Sequence, residues 1–319
     1  MFEGIDGATV RGARVRIACS TSNLGPGFDL AGLALSLFLD ARVERVERIG
    51  SGGAPAFAWG ELSGRAASWP RERNKLALAF ERAWRELGDQ DASFRLHAHS
   101  EIPIGRGLGS SGAATAAGLL LAAALAPRPI SREALLGLGL ELEGHPDNIT
   151  PALFGGLTFS VPREFGPPVF VHGRLSPALG FATAWPASEF ETRVARGLLP
   201  KTVPFADAVE NPRRLALLIA GLERGDPELL ALGGEDRLHV PYRLNAIPGA
   251  RAGLAAAREA GAWLATISGA GSALFAIGPR ERASSIADAM RAALVTTTGD
   301  GEGRALEVVS EPPRPALDS

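Results

Sequence analysis

An α+β fold in two domains is the arrangement this sequence predicts, on three observations. Stretches that alternate apolar and polar residues are mixed with helical stretches without a steady strand–helix–strand rhythm, which favours α+β over a doubly wound parallel sheet. At 319 residues the chain suggests two domains or one large one. Hydrophobic residues make up 46% and charged residues 21%, so a sizeable core can be buried. The boundary is expected in the proline-flanked stretch Pro162–Pro168, giving a first domain over residues 1–165 and a second over 166–319. No internal repeat is visible.

The elements follow in order. Val15, Ile17 and Cys19 alternate within Arg14–Ser20, a strand, and the turn-rich Thr21–Asp29 follows it. Leu33–Val46 reads as a second strand. Gly50–Pro70 is rich in Gly, Ala, Ser and Trp and reads as loop or hairpin. Asn74–Leu87 carries Leu76, Phe80, Ala83, Trp84 and Leu87 at helical spacing and ends at Gly88. Phe94–Ile102 alternates as a strand. A glycine-rich loop then enters an apolar helix that stops at Pro127. Ser131 caps another helix, with Glu133 in its first turn, running to about Leu142. After the pair Gly155-Gly156 comes a strand ending at Val161. The second half is expected to open with strands at Val169–Arg174 and Gly180–Trp185. Helices are expected at Glu189–Leu199, Phe205–Glu223, Asp226–Leu232, Pro248–Gly261 and Ala283–Leu294. Strands are expected at Trp263–Ile267, Ala273–Ile277 and Leu306–Ser310.

Composition excludes several function classes. The net charge is −2 and no long basic run is present, which argues against nucleic acid as a partner. One cysteine, Cys19, cannot form an internal disulfide and fits a reducing cytoplasm. The first fifteen residues contain Glu3, Asp6, Arg11 and Arg14 and no apolar core, so no secretory leader is expected. The longest apolar run, Ala113–Ala126, is too short and alanine-rich for a membrane span, and no membrane partner is expected.

The most informative stretch is Pro103-Ile-Gly-Arg-Gly-Leu-Gly-Ser-Ser-Gly-Ala-Ala-Thr115. Glycines at 105, 107 and 109 let backbone N–H groups approach an anion with no Cβ in the way. The helix start adds unpaired N–H donors and the positive end of its dipole. The combination suits phosphate, and a serine hydroxyl beside it suits the Mg²⁺ that travels with a nucleotide. The plainer reading is a glycine-rich turn entering a core helix. Two other nucleotide motifs are absent. A dinucleotide fingerprint wants an acidic residue about 20 residues past the glycines, where this chain has Leu125-Ala-Pro-Arg-Pro-Ile130. A Walker loop needs Gly-Lys-Ser/Thr, and neither lysine, Lys75 or Lys201, follows a glycine.

Three further stretches carry candidate chemistry. Asn23-Leu-Gly-Pro-Gly-Phe-Asp29 is either an ordinary turn or a loop aiming Asn23 and Asp29 into a pocket. Glu141-Leu-Glu-Gly-His-Pro-Asp-Asn148 gathers three carboxylates, an imidazole and an amide at a helix end, directly before an apolar run. It lacks zinc spacing, and a lone carboxylate better suits Mg²⁺ shared with phosphates. Ser268-Gly-Ala-Gly-Ser272 is a tight hairpin turn or a backbone lid over phosphates or sugar.

In this order the three glycine-bearing motifs resemble the GHMP kinase family. Within it the chain is similar to the homoserine kinases, through Asn23–Asp29, Arg106–Ser111, Glu143–Asn148, Thr192-x-x-x-Arg196-x-x-Leu-Pro200 and Pro241-Tyr-Arg243. These marks span most of the chain. It departs in reading Ala18-Cys-Ser-Thr-Ser22 before the asparagine and Ser-Ser-Gly after the central glycines. The resemblance implies an N-terminal α+β nucleotide-binding domain, a C-terminal ferredoxin-like domain, and a site in the cleft between them. It implies ATP-dependent phosphorylation of the hydroxyl of L-homoserine with Mg²⁺, in threonine biosynthesis. By position, Asn23, Asp29, His145 and Asp147 would surround the amino and hydroxyl ends of the substrate. Arg196 and Arg243 would grip its carboxylate with forked donors. Pro103, Ile104, Gly105, Arg106, Gly107, Leu108, Gly109, Ser110 and Ser111, with Gly269 and Gly271, would hold ATP. Ser111 and a helix glutamate would bind Mg²⁺. Glu141 is preferred over Glu143 as lying further inside the helix. Where some relatives have a catalytic aspartate this chain has Asn148, so Thr192, Asn148 and Arg196 would orient and stabilise without a strong base. A homodimer is the oligomer allowed for. The alternatives are a GHMP kinase for another small hydroxyl-bearing metabolite, or a silent ligand-binding homologue. Retention of Arg196 and Arg243 speaks against the first, and retention of Ser111 and both glutamates against the second.

Overall fold

The computed structural model describes residues 12–46, 56–88 and 92–318. Two sheets organise them. The first contains β1 (Gly12–Ser22), β2 (Ala31–Val46), β3 (Ala56–Gly64), β4 (Ser93–Ser100), β5 (Leu157–Val161) and β6 (Val169–His172), joined near the C-terminus by β11 (Ala316–Asp318). Its main order is β11-β1-β2-β4-β3, antiparallel except for the parallel pair β3–β4. On the edge away from β1, β2 serves two neighbours: Ala31–Leu33 pairs with β5 and Leu39–Val46 with β4.

Helices α1 (Lys75–Leu87), α2 (Ser110–Leu125), α3 (Arg132–Glu143) and α4 (Ile149–Phe154) belong with this sheet. α2 is apolar all round, and every residue from Gly112 to Leu125 is buried, as that pattern demands. Its small residues permit close packing: a Cβ on Gly118 would stand 2.3 Å from the carbonyl oxygen of Leu76 in α1. The caps are those the sequence indicates. The Asn74 side chain accepts from the Leu76 N–H at 2.9 Å, and Ser131 from the Ala134 N–H at 3.1 Å. Gly144 ends α3 at φ +80°.

The second sheet is antiparallel, with β7 (Leu179–Trp185), β8 (Leu264–Ile267), β9 (Leu274–Pro279) and β10 (Glu302–Leu306) in the order β10-β7-β9-β8. Numbered within the domain this is 4-1-3-2, the ferredoxin-like arrangement of two split βαβ units. α9 (Ala250–Glu259) and α10 (Ala283–Thr298) pack on it through Leu254, Ile286, Met290 and Leu294. Between β7 and β8 also come α5 (Thr192–Gly197), α6 (Phe205–Arg224), α7 (Pro227–Gly233) and α8 (Val240–Arg243). The first core runs on into Leu218, Leu222, Leu230 and Phe275, so the two sheets' layers pack as one body.

Several expectations need correction. Of the segment read as loop or hairpin, residues 50–55 lie outside the described residues, and Ala56–Gly64 is β3. It is a strand because Phe57 packs on Phe80 and Phe94, with ring centroids 5.7 and 6.1 Å away, a long-range contact that composition does not reveal. The strand expected to open the second half, now β6, pairs with β5 in the first sheet, so residues 165 and 166 fall between two hydrogen-bonded neighbours. The final strand of the second sheet is Glu302–Leu306 rather than Leu306–Ser310, because the polar, glycine-containing segment pairs with β7 at the sheet edge. The helix expected over Glu189–Leu199 covers only Thr192–Gly197, since the Phe190 N–H donates instead to the Gly105 carbonyl at 2.8 Å. Among the described residues no helix is long and apolar enough to cross a membrane.

Candidate active site

The end of β1 feeds a tightly wound loop. Asn23, Leu24, Gly25 and Asp29 all have positive φ, at 70°, 50°, 87° and 54°. The left-handed region is tolerated by Asn and Asp but strains Leu, so this conformation must be held from outside. Asn23, 3% exposed, does part of that holding. Its Oδ1 accepts from the Asp29 N–H at 3.0 Å and its Nδ2 donates to the Gly269 carbonyl at 2.9 Å. The amide expected to meet substrate is thus largely committed to backbone. The second domain supplies more support. Asn211 Nδ2 donates to the Pro26 carbonyl at 3.1 Å, and a Cβ on Gly25 would meet the Gly234 carbonyl oxygen at 2.6 Å.

The central glycine loop is left-handed at Gly105, Gly107 and Gly109, with φ of 64°, 74° and 70°. The chain then enters α2 with the N–H groups of its first turn unpaired by helix geometry. The second glycine loop, between β8 and β9, braces the first. Ser268 Oγ donates to the Gly107 carbonyl at 2.7 Å, the Ala273 N–H to the Arg106 carbonyl at 2.9 Å, and the Gly269 N–H to the Ser22 carbonyl at 3.1 Å. A Cβ on Gly107 would stand 2.1 Å from the Ser268 carbonyl oxygen, so that glycine serves loop-on-loop packing. The Arg106 guanidinium does not reach toward the phosphate cradle. It donates to the carbonyls of Ile104 and Ala187 and pairs with Glu189 at 3.1 Å, pinning the loop to the segment before α5.

Glu143, not Glu141, is the carboxylate beside the glycine loop. Its side chain is 6% exposed and accepts from Ser111 Oγ at 3.0 and 2.8 Å, from Thr115 Oγ1 at 2.6 Å, and pairs with Lys75 Nζ at 3.2 Å. Glu141 is one face round the helix, 57% exposed, and is paired with Arg82 at 2.9 Å. Position within the helix misled the sequence reading. Residues two apart on a helix point to different sides, and the last turn of α3 aims position 143 at α2.

Beyond the turn at Gly144 lies a compact polar group. His145 Nδ1 and Asp147 Oδ1 are 2.5 Å apart, with the Asp147 side chain 3% exposed. That bond keeps the His145 imidazole protonated above its ordinary range, against the opposing pull of burial. Asn148 is doubly engaged: its Oδ1 accepts from Ser20 Oγ at 2.9 Å and its Nδ2 donates to Ser22 Oγ at 3.1 Å. Asp29 takes a two-pronged hydrogen bond from Arg196, at 3.0 and 2.7 Å, which raises the arginine's pKa further. Arg243 is buried, and burial with Arg196 nearby lowers its pKa to about 10, so it stays charged at neutral pH. The Arg196 and Arg243 guanidiniums lie 5.5 and 5.2 Å from the same Phe28 ring centroid. One ligand atom each from Asp29, His145 and Asp147 lie within 4.8 Å of one another. With Arg196 and the His145 proton already on those carboxylates, the group is poor in free negative charge.

These residues meet in one cleft of about 300 Å³ between the domains. Asn23, Asp29, Pro103, Gly105–Ser111, Glu143, His145, Asp147, Asn148, Thr192, Arg196, Arg243 and Gly269 all line it. Ile104 does not, being packed against the core, nor does Gly271, where a Cβ would meet Ile247 Cδ1 at 2.4 Å. A larger groove of about 560 Å³ on the outer face of the first sheet, lined by Arg14, Arg42, His97 and His99 among others, holds none of the candidate groups. Several residues of the site escaped the sequence reading, among them Phe28, Lys75 and His239. Lys75 lines the cleft, and its signal was its place directly after the helix-capping Asn74. Buried His239 contacts Arg243, and it stands just ahead of Pro241-Tyr-Arg243.

Known proteins resemble this chain in sequence and in fold. Residues 74–156 match the family described as GHMP kinases N terminal domain, and residues 218–296 that described as GHMP kinases C terminal. The chain is 39% identical over 280 residues to a homoserine kinase of Moorella thermoacetica, covering 88% of this chain and 91% of that one. It is 38% identical over 278 residues to a homoserine kinase of Synechococcus sp., with 86% and 87% covered. The crystal structure of homoserine kinase from Cytophaga hutchinsonii superposes with a TM-score of 0.86 at 25% identity, covering 98% of this chain and 100% of that one. Mevalonate kinase of L. major in complex with R-mevalonate superposes at 0.70 with 14% identity, covering 98% and 99%, a likeness of fold alone.

Proposed function

This chain belongs to the homoserine kinases of the GHMP kinase family, and we propose that it transfers the γ-phosphoryl group of ATP to the side-chain hydroxyl of L-homoserine. The product is O-phospho-L-homoserine, an intermediate on the way to threonine. The observation that carries the substrate class is the convergence of Arg196 and Arg243 over Phe28, beside the carboxylates of Asp29 and Asp147, in the cleft that the glycine loop faces. Two guanidiniums suit an α-carboxylate, and the Asp29 oxygens, which keep lone pairs beyond the Arg196 bonds, suit the N–H groups of an α-ammonium.

The residues divide the work by position. Backbone N–H groups of Gly105–Ser111 and the start of α2 bind the triphosphate. The second glycine loop keeps that cradle in shape. His145 and Asp147, with Asn148 and Thr192, hold the hydroxyl end of the substrate near the γ-phosphorus. The donor set at Ser111 and Glu143 fits Mg²⁺: hard oxygens only, one a carboxylate, next to the phosphate loop. A magnesium ion held there would neutralise charge on the phosphates. The hydroxyl oxygen bonds to phosphorus, the bond to the β-phosphate oxygen breaks, ADP leaves, and the hydroxyl proton is lost to solvent or phosphate.

A panel of hydroxyl acceptors with [γ-³²P]ATP tests the assignment. L-Homoserine should be phosphorylated far faster than mevalonate, galactose or 3-aminopropan-1-ol, the analogue lacking the carboxylate. Equal or better turnover of a carboxylate-free acceptor would overturn it.

A further inference from the structure

We propose that His239 is a positioning residue for substrate recognition: it fixes the Arg243 guanidinium in the cleft and ties that arginine to the Asn23–Asp29 loop. The proposal rests on the reading that Arg243 grips the substrate carboxylate.

His239 is fully buried, and both ring nitrogens are used. Nε2 lies 2.8 Å from the Gly25 carbonyl oxygen. A carbonyl can only accept, so Nε2 carries the proton and donates. Nδ1 lies 3.1 Å from Arg243 Nη1. Arginine can only donate, so Nδ1 is the unprotonated acceptor. The two partners therefore select one neutral tautomer. Burial, together with the Arg243 charge, pushes the His239 pKa down, against an opposing pull from Asp236, in keeping with that neutral form.

The backbone of His239 is itself clamped. Asp236 Oδ2 accepts from the N–H groups of Leu238, His239 and Val240 at 3.1, 2.7 and 2.7 Å. This matters because α8 is a single turn of four residues, too short to fix a long side chain by itself. Arg243 has two other anchors, and both are longer. Nη1 reaches the Gly269 carbonyl at 3.2 Å and Nε the Ala195 carbonyl at 3.4 Å. The imidazole supplies the shortest of the three contacts and the only one from a side chain. Among the described residues Nη2 makes no hydrogen bond, and Arg243 lines the cleft, so the two N–H groups of that nitrogen are left for a ligand carboxylate. Phe28 closes the arrangement, its ring centroid 5.0 Å from that of His239 and 5.2 Å from the Arg243 guanidinium carbon. Through Gly25 the same imidazole sets the loop that carries Asp29, so the carboxylate and ammonium ends of the substrate are registered by one side chain.

The experiment compares His239→Asn and His239→Gln with wild type. An Asn side chain places an acceptor near the Nδ1 position and loses the Gly25 bond. A Gln side chain reaches toward Gly25 and leaves Arg243 without its acceptor. Each variant is assayed for KM of L-homoserine, KM of ATP, and the ratio of kcat/KM for L-homoserine over 3-aminopropan-1-ol, with thermal unfolding as the fold check. His239→Gln should raise the homoserine KM and lower the discrimination ratio by about tenfold, the scale of one lost hydrogen bond to a charged group, with the ATP KM nearly unchanged. His239→Asn should keep most of the discrimination. A merely structural histidine would lower the unfolding temperature in both variants and leave the ratio alone, and that result overturns the proposal. Arg243→Ala separates the two levels. If it abolishes discrimination while His239→Gln does not, only the positioning role fails. If Arg243→Ala itself leaves discrimination intact, the carboxylate reading fails with it.

Discussion

Replacing Glu143 by Gln is the sharpest test of how the site is built. In wild type the carboxylate accepts from Ser111 and Thr115 and pairs with Lys75, with only 6% of its side chain exposed. The amide keeps an oxygen for one hydroxyl and loses the charge. Thr115 is fully buried, but its hydroxyl can turn to the carbonyl one helical turn back, as serine and threonine in helices do. Lys75 is 37% exposed and can swing to water. The net cost to stability is therefore about 1–2 kcal/mol, the price of one imperfectly replaced hydrogen bond, or roughly 2–5 °C in Tm. The catalytic cost should be much larger. Removing one group that stabilises transition-state charge typically lowers kcat by about 10²-fold or more, and the Mg²⁺ concentration for half-maximal rate should rise. Glu141→Gln is the matched control. It breaks an exposed ion pair with Arg82, which keeps Glu86 at 2.6 Å, so about 0.5 kcal/mol or less is at stake and kinetics should not change. Steady-state rates over a Mg²⁺ series, with thermal scans, decide it. A steep loss in Glu141→Gln with normal Glu143→Gln kinetics would refute the assignment.

Three further outcomes are expected. Arg196→Ala and Arg243→Ala should each raise the homoserine KM strongly, since removing one partner of a buried charge pair costs roughly 2–5 kcal/mol, while the ATP KM stays nearly constant; lysine at either site should rescue only partly because it lacks the fork. Normal homoserine KM in both alanine variants would place the carboxylate elsewhere. The hydrogen bond to Asp147 raises the His145 pKa, so its contribution to stability is complete below about pH 6.5, the ordinary imidazole value, and is lost as pH rises through the raised folded value; Tm measured from pH 6 upward should fall more in wild type than in His145→Gln, and parallel curves would contradict the pairing. Gly107→Ala should destabilise the fold by about 1–2 kcal/mol from its left-handed φ alone, and by more from the Ser268 carbonyl in its way, with ATP affinity falling alongside; an unchanged Tm would show that the two glycine loops are not braced as described.

How far the sequence could be read depended on how local each determinant is. α1 and α3 were legible because Asn74 and Ser131 cap them and their apolar spacing is intact. The glycine loop was legible because positive φ at every second residue leaves few alternatives to glycine. β3 was not, because what makes it a strand is Phe57 against Phe80 and Phe94, two elements away. β6 was placed at the opening of the second half although it pairs in the first sheet, because a short exposed strand carries no mark of its partner. At the site, residue types and motif order pointed to nearly all of the cleft lining. Direction was the weak point. Glu141 against Glu143 turns on which face of α3 meets α2, and Arg106 sits in the phosphate motif while its guanidinium serves the loop's anchorage. His239 was invisible because a lone histidine gains meaning only when Gly25 and Arg243 are found on either side of it.

On the proposed assignment, the state of every polar side chain in the cleft bears on where the proton of the substrate hydroxyl goes. A general base needs a free lone pair and a pKa near neutrality. Asn148 cannot serve, being an amide with its oxygen accepting from Ser20 and its nitrogen donating to Ser22. His145 is raised in pKa by Asp147, which makes it a donor over a wider pH range. Asp29 is held by both prongs of Arg196, and Glu143 by Ser111, Thr115 and Lys75. What the cleft offers instead is fixed charge: carboxylates and guanidiniums paired before the substrate arrives, around a loop of backbone N–H donors. Phosphoryl transfer through a loose transition state draws its rate from such positioning and charge stabilisation and needs little proton abstraction early on. The pH–rate profile should accordingly show no ascending limb from a base near neutrality. Asn148→Asp adds a carboxylate beside Asp147, whose Oδ1 is 3.5 Å from Asn148 Nδ2. It should slow the reaction through like-charge repulsion rather than speed it by supplying a base. A faster Asn148→Asp enzyme would show that proton removal limits the rate after all.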